Sequence, residues 1–282
     1  MKRIIFIFLA AMTLIFSSCG ETAVLAEIPS GGVVYKTVDE KELKLEFLAP
    51  TELKRKSPAV IVLHGGGWVS GTPEDFTRDF SLLCDALRDA GVMVIPVEYR
   101  LAGGGGGWRN CLDDCEDALS FICENARDYG IDPENIGVIG YSAGGQLALM
   151  TAIETRNQVK YCVSMSGPTC LSDNSESPFY SESLNYYLEM IFPADDQIGM
   201  YQASPVIRVN RRCQSEFLLV YGTGDKVVLP AHAETFLREV DTFGIPAELL
   251  MFDGLTHSYT AFSDFPELCR EVASKVASKL CA

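Results

Sequence analysis

One continuous stretch, residues 135–150, encodes an apolar strand, a sharp turn and a helix, and it constrains the fold more than any other part of the chain. It reads NIGVIGYSAGGQLALM and contains Gly-x-Ser-x-Gly at Gly140, Ser142 and Gly144. A strand-to-helix turn this sharp leaves no room for side chains two positions either side of the serine, so both positions require glycine. The stretch therefore predicts a serine hydroxyl raised above the edge of a sheet.

Short β-branched runs alternate with helix-length segments along the rest of the chain. The predicted strands are VVYKTV, LKLEFL, AVIVLH, VMVIPVEY, NIGVIGY, YCVSMS, SEFLLVYG and AELLMF. The predicted helices span about residues 80–90, 110–129, 143–155, 231–241 and 266–280. This alternation predicts an α/β fold in which residues 32–282 form one domain, with a mostly parallel eight-stranded sheet covered by helices on both faces.

The charge balance is strongly acidic, with 38 Asp and Glu against 23 Lys and Arg and a formal net charge of −15. Such a body repels phosphate backbones, and no stripe rich in lysine and arginine offsets the repulsion. Nucleic acid is therefore not an expected partner.

The first 18 residues have the layout of a secretory leader, with two basic residues, an apolar run and then small residues. The run is too short for a membrane-spanning helix. Ser17, Ser18 and Cys19 resemble a bacterial lipobox, although Phe16 replaces its usual leucine. We expect export to the cell envelope, a lipid on Cys19 as the sole membrane contact and a short tether at 19–31. Ordinary cleavage and secretion is the alternative.

The chain has ten cysteines, so nine remain beside Cys19, and an odd number cannot all pair. Cys111, Cys115 and Cys123 share one predicted helix without the histidine or second cysteine pair that a zinc site needs. They are predicted to be core or half-buried thiols.

A serine hydroxyl becomes a nucleophile only beside a base, and a third group must hold that base in the correct tautomer. Where a serine follows a strand in this way, the partners come later in the order acid, then histidine. Two histidines follow Ser142. His257 lies in a loop after the last predicted strand, from which it can reach Ser142 over the sheet. His232 begins a predicted surface helix and is expected to be solvated.

The acid is expected to follow the last strand but one, and Asp225 does so in a glycine-loosened loop. Asp253 is the competitor, four residues before His257. A carboxylate at such a position more often belongs to a turn. Asp225 is therefore the predicted partner of His257.

Several motifs together resemble the α/β-hydrolase esterases. They are HGGGW, EYRLA, YGIDPENIGVIGYSAGGQLAL, ASP, GTGDKVV and the late His257, in the same order from Val33 to the C-terminus. The chain is similar to hormone-sensitive-lipase-like esterases and to acetylxylan and feruloyl carbohydrate esterases of the BD-FAE type. The resemblance implies that Ser142 is the nucleophile, His257 the general base and acid, and Asp225 its orienting partner. It implies no metal and no cofactor.

The same resemblance matches the glycines after His64 to an oxyanion loop. Backbone N–H groups of Gly66 and Gly67, together with that of Ala143, are expected to hold the negative oxygen that forms when an ester is attacked. Gly65 is expected to make the turn. His64 precedes the nucleophile and is expected to brace the loop.

Candidate substrate contacts are Trp68, Tyr141 and Trp108. The two tryptophans can form a floor on which a sugar stacks, or they can be partly buried packing residues. The segment 169–202 lacks a clear strand and is rich in aromatic and acidic residues. It is predicted to form a lid and part of the substrate pocket. The alternative is an insertion that packs against the domain and does not contact the substrate.

These features predict a serine carboxylesterase that removes small acyl groups, acetyl or feruloyl, from a polysaccharide or oligosaccharide. A lipase-like esterase and an arylformamidase are the alternatives within the enzymes. An inert α/β-hydrolase used as a binding module is the alternative outside them. The sequence leaves open which acyl group and which alcohol the substrate contains, and what the oligomeric state is.

Overall fold

Six parallel strands form the central sheet in the computed structural model of this chain. The structure describes residues 31–52, 54, 56–103, 107–155, 158–172, 174–193, 196–258 and 265–281. The predicted leader at 1–18, Cys19 and all of the tether at 19–31 except its last residue lie outside the described residues.

The strands in the described residues all coincide with predicted ones, with shifts at their ends. They are β1 (Val33–Val38), β2 (Lys41–Leu45), β3 (Ser57–Leu63), β4 (Met93–Pro96), β5 (Ile131–Tyr141), β6 (Tyr161–Met165), β7 (Glu216–Gly222) and β8 (Ala247–Phe252). The sheet order is β4-β3-β5-β6-β7-β8, and every neighbouring pair is parallel. The predicted α/β class with a mostly parallel sheet is confirmed.

The first two strands differ from the prediction because they form a separate antiparallel hairpin. Beyond β2 the chain runs antiparallel along β4 and meets it in isolated bridges, Leu45–Val97 and Leu48–Val94. Pro96 lies between these bridges and has no N–H to donate to the neighbouring strand, which interrupts the ladder. The central sheet therefore has six strands rather than eight.

Helices cover both faces of the sheet. They are α1 (Pro73–Asp79), α2 (Ser81–Asp89), α3 (Gly107–Asn125), α4 (Ala143–Glu154), α5 (Glu182–Ile191), α6 (Gln197–Gln202), α7 (Pro205–Arg208), α8 (Ala231–Thr242) and α9 (Pro266–Leu280). Helices α3, α4 and α8 share one apolar core with one face of the sheet, and α1, α2 and α9 share another with the opposite face. Side chains alternate along β3, so Ile61 faces the first core and Val62 the second. A strand buried on both faces has to be apolar throughout, as these strands are.

The direction of strand order changes at β3. From β3 the chain first builds β4 on one side and then crosses to β5 on the other side. In open parallel sheets, the loops that leave the two strands at such a point enclose the ligand-binding crevice. Leu63, at the end of β3, lies opposite Gly140, near the end of β5. The segments that begin at His64 and Ser142 therefore lie side by side.

Eight cysteines in the described part of the chain are free thiols: Cys84, Cys111, Cys115, Cys123, Cys162, Cys170, Cys213 and Cys281. Cys111 and Cys115 are buried and Cys123 is half-buried, as predicted. Burial raises the pKa of Cys84 and that of Cys111 to about 12. Cys281 is exposed.

Within the described ranges, none of the helices combines the length and the apolar character needed to cross a lipid bilayer.

Candidate active site

Ser142 occupies the strained turn between β5 and α4. Its backbone has φ 54° and ψ −119°, a conformation that residues with a side chain rarely adopt. A Cβ at Gly140 would lie 2.0 Å from the carbonyl oxygen of Gly144, and one at Gly144 would lie 2.2 Å from that of Leu63. Both glycines are therefore required, and the half-buried Ser142 side chain is held at the carboxyl edge of the sheet.

Ser142, His257 and Asp225 form one row of hydrogen bonds. Nε2 of His257 lies 2.9 Å from Oγ of Ser142, and Nδ1 lies 2.8 Å from Oδ2 of Asp225. The Asp225 side chain is fully buried, while that of His257 is 12% exposed. A carboxylate can only accept, so Nδ1 carries the proton of the neutral ring and Nε2 is left to accept from the serine hydroxyl.

The acid loop, residues 223–230 between β7 and α8, fixes the Asp225 carboxylate. Its Oδ1 accepts from the backbone N–H groups of Val227 and Val228, each at 2.9 Å. With His257 on Oδ2, three donors orient the group. Asp253 is exposed and accepts from the Thr223 hydroxyl at 2.9 Å, which is the turn role expected for it.

The oxyanion loop, residues 64–72 between β3 and α1, turns at Gly66 rather than at the predicted Gly65. Gly66 has φ 116°, and its carbonyl accepts from the N–H groups of Val69 at 3.2 Å and Ser70 at 3.0 Å. A Cβ at Gly66 would lie 2.1 Å from the Ser70 carbonyl oxygen. The turn therefore requires glycine at position 66, because Ser70 occupies the space that a side chain would need.

The predicted oxyanion donors are the backbone N–H groups of Gly66, Gly67 and Ala143. Among the described residues, none of the three donates to a backbone carbonyl outside the regular elements. Ala143 is the first residue of α4, where an N–H has no acceptor within its own helix. The pairing of β3 with β5 places the oxyanion loop beside Ala143. The oxyanion loop and the turn that carries Ser142 therefore begin side by side, and the role of the three N–H groups stays a prediction.

Trp68 is a buried packing residue, which is the second of its two predicted alternatives, so its assignment as a substrate contact is corrected. Only 2% of it is exposed. Its Nε1 donates to Oε1 of Gln146 at 2.9 Å, and Nε2 of Gln146 donates to the carbonyl of Ala203 at 2.8 Å. This chain of hydrogen bonds ties the oxyanion loop to α4 and to the residue after α6. A ring enclosed in this way presents no face on which a sugar can stack.

Tyr141 also lies below the surface, 1% exposed, so it offers no open face to a substrate. Its ring lies against that of His257, with 5.2 Å between the centroids and 28° between the planes. This contact makes Tyr141 a support for the histidine and corrects its assignment as a substrate contact. Trp108 is half-buried near the start of α3, beneath the Arg109 guanidinium, and its role in substrate binding stays a prediction.

His64 is buried beneath the oxyanion loop. Its Nδ1 lies 2.7 Å from the carbonyl oxygen of Gly65, and its ring stacks on Tyr99 with 4.2 Å between centroids. The Tyr99 hydroxyl donates to the His64 carbonyl at 2.8 Å. Burial lowers the pKa of His64. The residue therefore supports the loop from below.

His232 is fully buried, and the prediction that it is solvated is wrong. Its Nδ1 accepts from the N–H groups of Thr169 at 3.1 Å and Cys170 at 3.3 Å. Burial lowers its pKa to about 4. His232 lies on the face of α8 that also carries Phe236 and Val240, so their spacing of four was a local signal for burial. The ring fastens the start of the segment 169–202 to the helix that follows the acid loop.

The segment 169–202 contains helices α5 and α6, which the sequence reading did not predict. Ser181 caps α5 by accepting from the Leu184 N–H at 3.0 Å, and its hydroxyl donates to the carbonyl of Val227 in the acid loop at 2.6 Å. Six residues further along α5, the Tyr187 ring lies against Gly67 of the oxyanion loop. The segment thus contacts both loops that surround Ser142.

The contact between Tyr187 and Gly67 was missed by the sequence reading because the two residues lie far apart in the chain. The helix that carries Tyr187 did have a signal. Ser181 stands before apolar residues spaced by four and three, at Leu184, Leu188 and Ile191, which is the pattern of a capped amphipathic helix.

The fold and the site define the chain as an α/β-hydrolase with a Ser-His-Asp site. The model of the BD-FAE family matches residues 45–240, which is more than half of the chain. The chain belongs to the BD-FAE family.

Curated relatives carry esterase names. A probable isoprenylcysteine alpha-carbonyl methylesterase of Oryza sativa subsp. japonica is 25% identical over 245 residues, which are 80% of this chain and 58% of that protein. An arylesterase of Saccharolobus solfataricus is 25% identical over 259 residues, which are 86% of this chain and 80% of that protein. The chain spans 58%, 66%, 54% and 49% of the lengths of the first four curated relatives that it matches.

Solved structures share the fold. The esterase of Pyrobaculum calidifontis has a TM-score of 0.75 and 23% identity, over 88% of this chain and 84% of that one. A truncated carbohydrate esterase from gut microbiota has a TM-score of 0.72 and 19% identity, over 88% of this chain and 95% of that one. At these identities the likeness concerns the fold.

Proposed function

We propose that the chain is a serine carboxylesterase that hydrolyses small acyl esters, and that its substrates are acetylated or feruloylated carbohydrates. The observation that carries the proposal is the row from Oγ of Ser142 through His257 to the buried Asp225 carboxylate. Membership of the BD-FAE family and the esterase names of the relatives support the activity. The likeness to carbohydrate esterases supports the substrate class.

The reaction follows from the hydrogen bonds. Oγ of Ser142 attacks the ester carbonyl carbon while Nε2 of His257 takes the hydroxyl proton. The carbonyl oxygen becomes negative beside the N–H groups of Gly66, Gly67 and Ala143, where each donor is worth on the order of 3 kcal/mol in a comparable protease.

The second half releases the acyl group. His257 returns its proton to the departing alcohol oxygen, which leaves the acyl group on Ser142. A water then gives a proton to Nε2 and attacks the acyl carbon. Return of that proton to Oγ frees the carboxylic acid and restores Ser142. Asp225 accepts from Nδ1 throughout and stabilises the charged imidazole.

Release of acetate and ferulate from acetylated and feruloylated xylan, beside hydrolysis of nitrophenyl acetate, tests the proposal. Wild-type protein should turn over the esters and react with a fluorophosphonate probe, whereas Ser142→Ala should do neither. Equal turnover by Ser142→Ala would remove the serine mechanism. If the protein hydrolyses nitrophenyl acetate but releases no acid from either xylan, the esterase activity is supported and the proposed carbohydrate substrate is rejected. An inert binding module would bind a carbohydrate and react with neither ester nor probe.

We propose further that the protein is exported and held at the envelope by a lipid on Cys19. The motif at residues 17–19 supports this. Growth with labelled palmitate should label the wild-type protein and not the Cys19→Ala variant. An unlabelled wild-type protein would exclude the anchor.

A further inference from the structure

The ring of Tyr187 lies where Gly67 has no side chain. A Cβ added at Gly67 would be 2.1 Å from Cδ1, 2.5 Å from Cε1 and 2.6 Å from Cγ of the ring. No side-chain carbon approaches another atom so closely, so the ring occupies the volume that any other residue at position 67 would need. Tyr187 therefore packs directly on a backbone segment whose N–H is a proposed oxyanion donor.

Helix α5 holds this ring in place. Its first end is tied to the acid loop through the Ser181 hydroxyl, and three of its side chains are buried: Leu184, Leu188 and Ile191. Tyr187 itself is half-buried and packs against the same core. The buried face of α5 therefore fixes the backbone position from which the Tyr187 ring reaches the oxyanion loop.

Helix α5 contacts two loops of the site at different points along its length. Six residues of helix separate Ser181 from Tyr187, a rise of about 9 Å. Ser181 touches the acid loop that fixes Asp225, and Tyr187 touches the oxyanion loop. Helix α5 thus runs from the side of the site that holds the acid to the side that binds the oxyanion.

The orientation of an ester in this site follows from the proton transfers. The alcohol oxygen must lie near Nε2 of His257 to receive its proton, so the alcohol group lies on the side of the acid. The carbonyl oxygen points to the N–H groups of Gly67 and Ala143. The remaining substituent of the carbonyl carbon is the acyl chain, and it leaves that carbon on the side away from Nε2 of His257.

We propose that Tyr187 determines the length of the acyl group that the site accepts, by closing the space next to the oxyanion loop to anything larger than a short chain. This inference rests on the proposed esterase activity. The ring acts by its volume, because the contact with Gly67 is made by ring carbons.

The test compares nitrophenyl acetate, butanoate, hexanoate and octanoate in three variants. In Tyr187→Ala, the kcat/KM for octanoate relative to acetate should rise about tenfold or more, the size of effect that changed hydrocarbon volume has in enzyme pockets. Tyr187→Phe should keep the wild-type ratio because the ring remains. Tyr186→Ala is the matched control, since its neighbouring tyrosine on the same helix is 57% exposed and should leave the ratio unchanged.

An unchanged ratio in Tyr187→Ala overturns the proposal, and so does an equal rise in Tyr186→Ala. Acetate esters of alcohols of increasing size are a second series. If the alanine variant changes selectivity there and not among acyl chains, the assignment to the acyl side is wrong. Should Tyr187→Ala fail to fold, Tyr187→Leu and Tyr187→Trp replace it, with the ratio expected to rise in the first and to fall in the second.

Failure of the proposed esterase activity would give a different result from failure of the proposed role of Tyr187. In that case wild-type protein turns over none of the esters and Ser142 does not react with the fluorophosphonate. A wild-type protein that reacts at Ser142, combined with a ratio that no Tyr187 variant changes, rejects the role of Tyr187 alone.

Discussion

Nδ1 of His257 donates to Oδ2 of Asp225 across 2.8 Å, while the other carboxylate oxygen, Oδ1, accepts from two backbone N–H groups of its own loop. The carboxylate has no contact with solvent. The position of the imidazole proton is therefore decided by Asp225, and the state of Nε2 opposite Ser142 follows from it.

Asp225→Asn should lower kcat for nitrophenyl acetate by about 10⁴-fold, as the equivalent change does in a serine protease. The amide oxygen will keep the bonds from Val227 and Val228, which turns the NH₂ toward Nδ1. The ring proton then moves to Nε2, where the Ser142 hydroxyl needs an acceptor. Steady-state kinetics checks this, with Asp253→Asn as the control expected to retain wild-type activity. Equal losses in the two variants would leave the acid unassigned.

Gly67→Ala should reduce kcat/KM by about 10²- to 10³-fold, the effect of losing one oxyanion donor. Its Cβ would lie 2.1 Å from the Tyr187 ring, and φ is 59°. Adding Tyr187→Ala removes the collision and should recover about tenfold, which corresponds to an ordinary coupling energy between touching residues. Gly91→Ala is the control, since Gly91 also has positive φ but open space around it. No recovery in the double variant would place the damage elsewhere.

His232→Asn should flatten the dependence of stability on pH below neutrality. Burial lowers the pKa of His232 in the folded chain from the usual 6.5 to about 4. Between these values the unfolded state binds more protons, so the free energy of unfolding falls as the pH falls from 6.5 toward 4, by on the order of 3 kcal/mol. Asparagine can accept from Thr169 and Cys170 without titrating.

Urea unfolding of both proteins across that window measures the difference. The wild-type curve should be steeper by about 1.4 kcal/mol per pH unit. Parallel curves for the two proteins would show that His232 is not the group responsible.

Trp68→Phe should lower the free energy of unfolding by about 1–3 kcal/mol, because it leaves the buried Oε1 of Gln146 without its donor. Trp108→Phe is the control and should cost less, since Trp108 is half-buried and lies at the protein surface. Urea denaturation checks both. If Trp68→Phe left stability unchanged and instead raised KM for acylated xylan, the tryptophan would be a sugar platform after all.

The features of the fold and the site that could be predicted from the sequence are those determined by residues close to one another in the chain. Gly140 and Gly144 are required by the turn at Ser142, and apolar β-branched runs indicate strands buried on both faces. The site residues Ser142, Asp225 and His257 follow strand ends in a parallel sheet, whose carboxyl ends share one edge. Chain order alone is enough to bring such residues near one another.

What was missed depends on contacts between distant segments. Trp68 has the same local sequence whether it is enclosed or open, and its burial depends on Gln146 and on the apolar core to which it belongs. The six-stranded sheet, in place of the predicted eight, depends on whether the hairpin strands align with β4, where Pro96 interrupts the ladder. Tyr187 meets Gly67 only after the intervening strands have been assembled.

The distribution of the thiols has a practical consequence for chemical labelling. With a pKa of about 12, the thiols of Cys84 and Cys111 are ionised to on the order of 10⁻⁵ at neutral pH, and the thiolate is the form that alkylating reagents attack. Cys281, the exposed cysteine of the described chain, follows α9 and lies outside the groups of the Ser142 site. A maleimide fluorophore should therefore attach there first, which gives a reporter position for following substrate-dependent changes without altering any residue of the site.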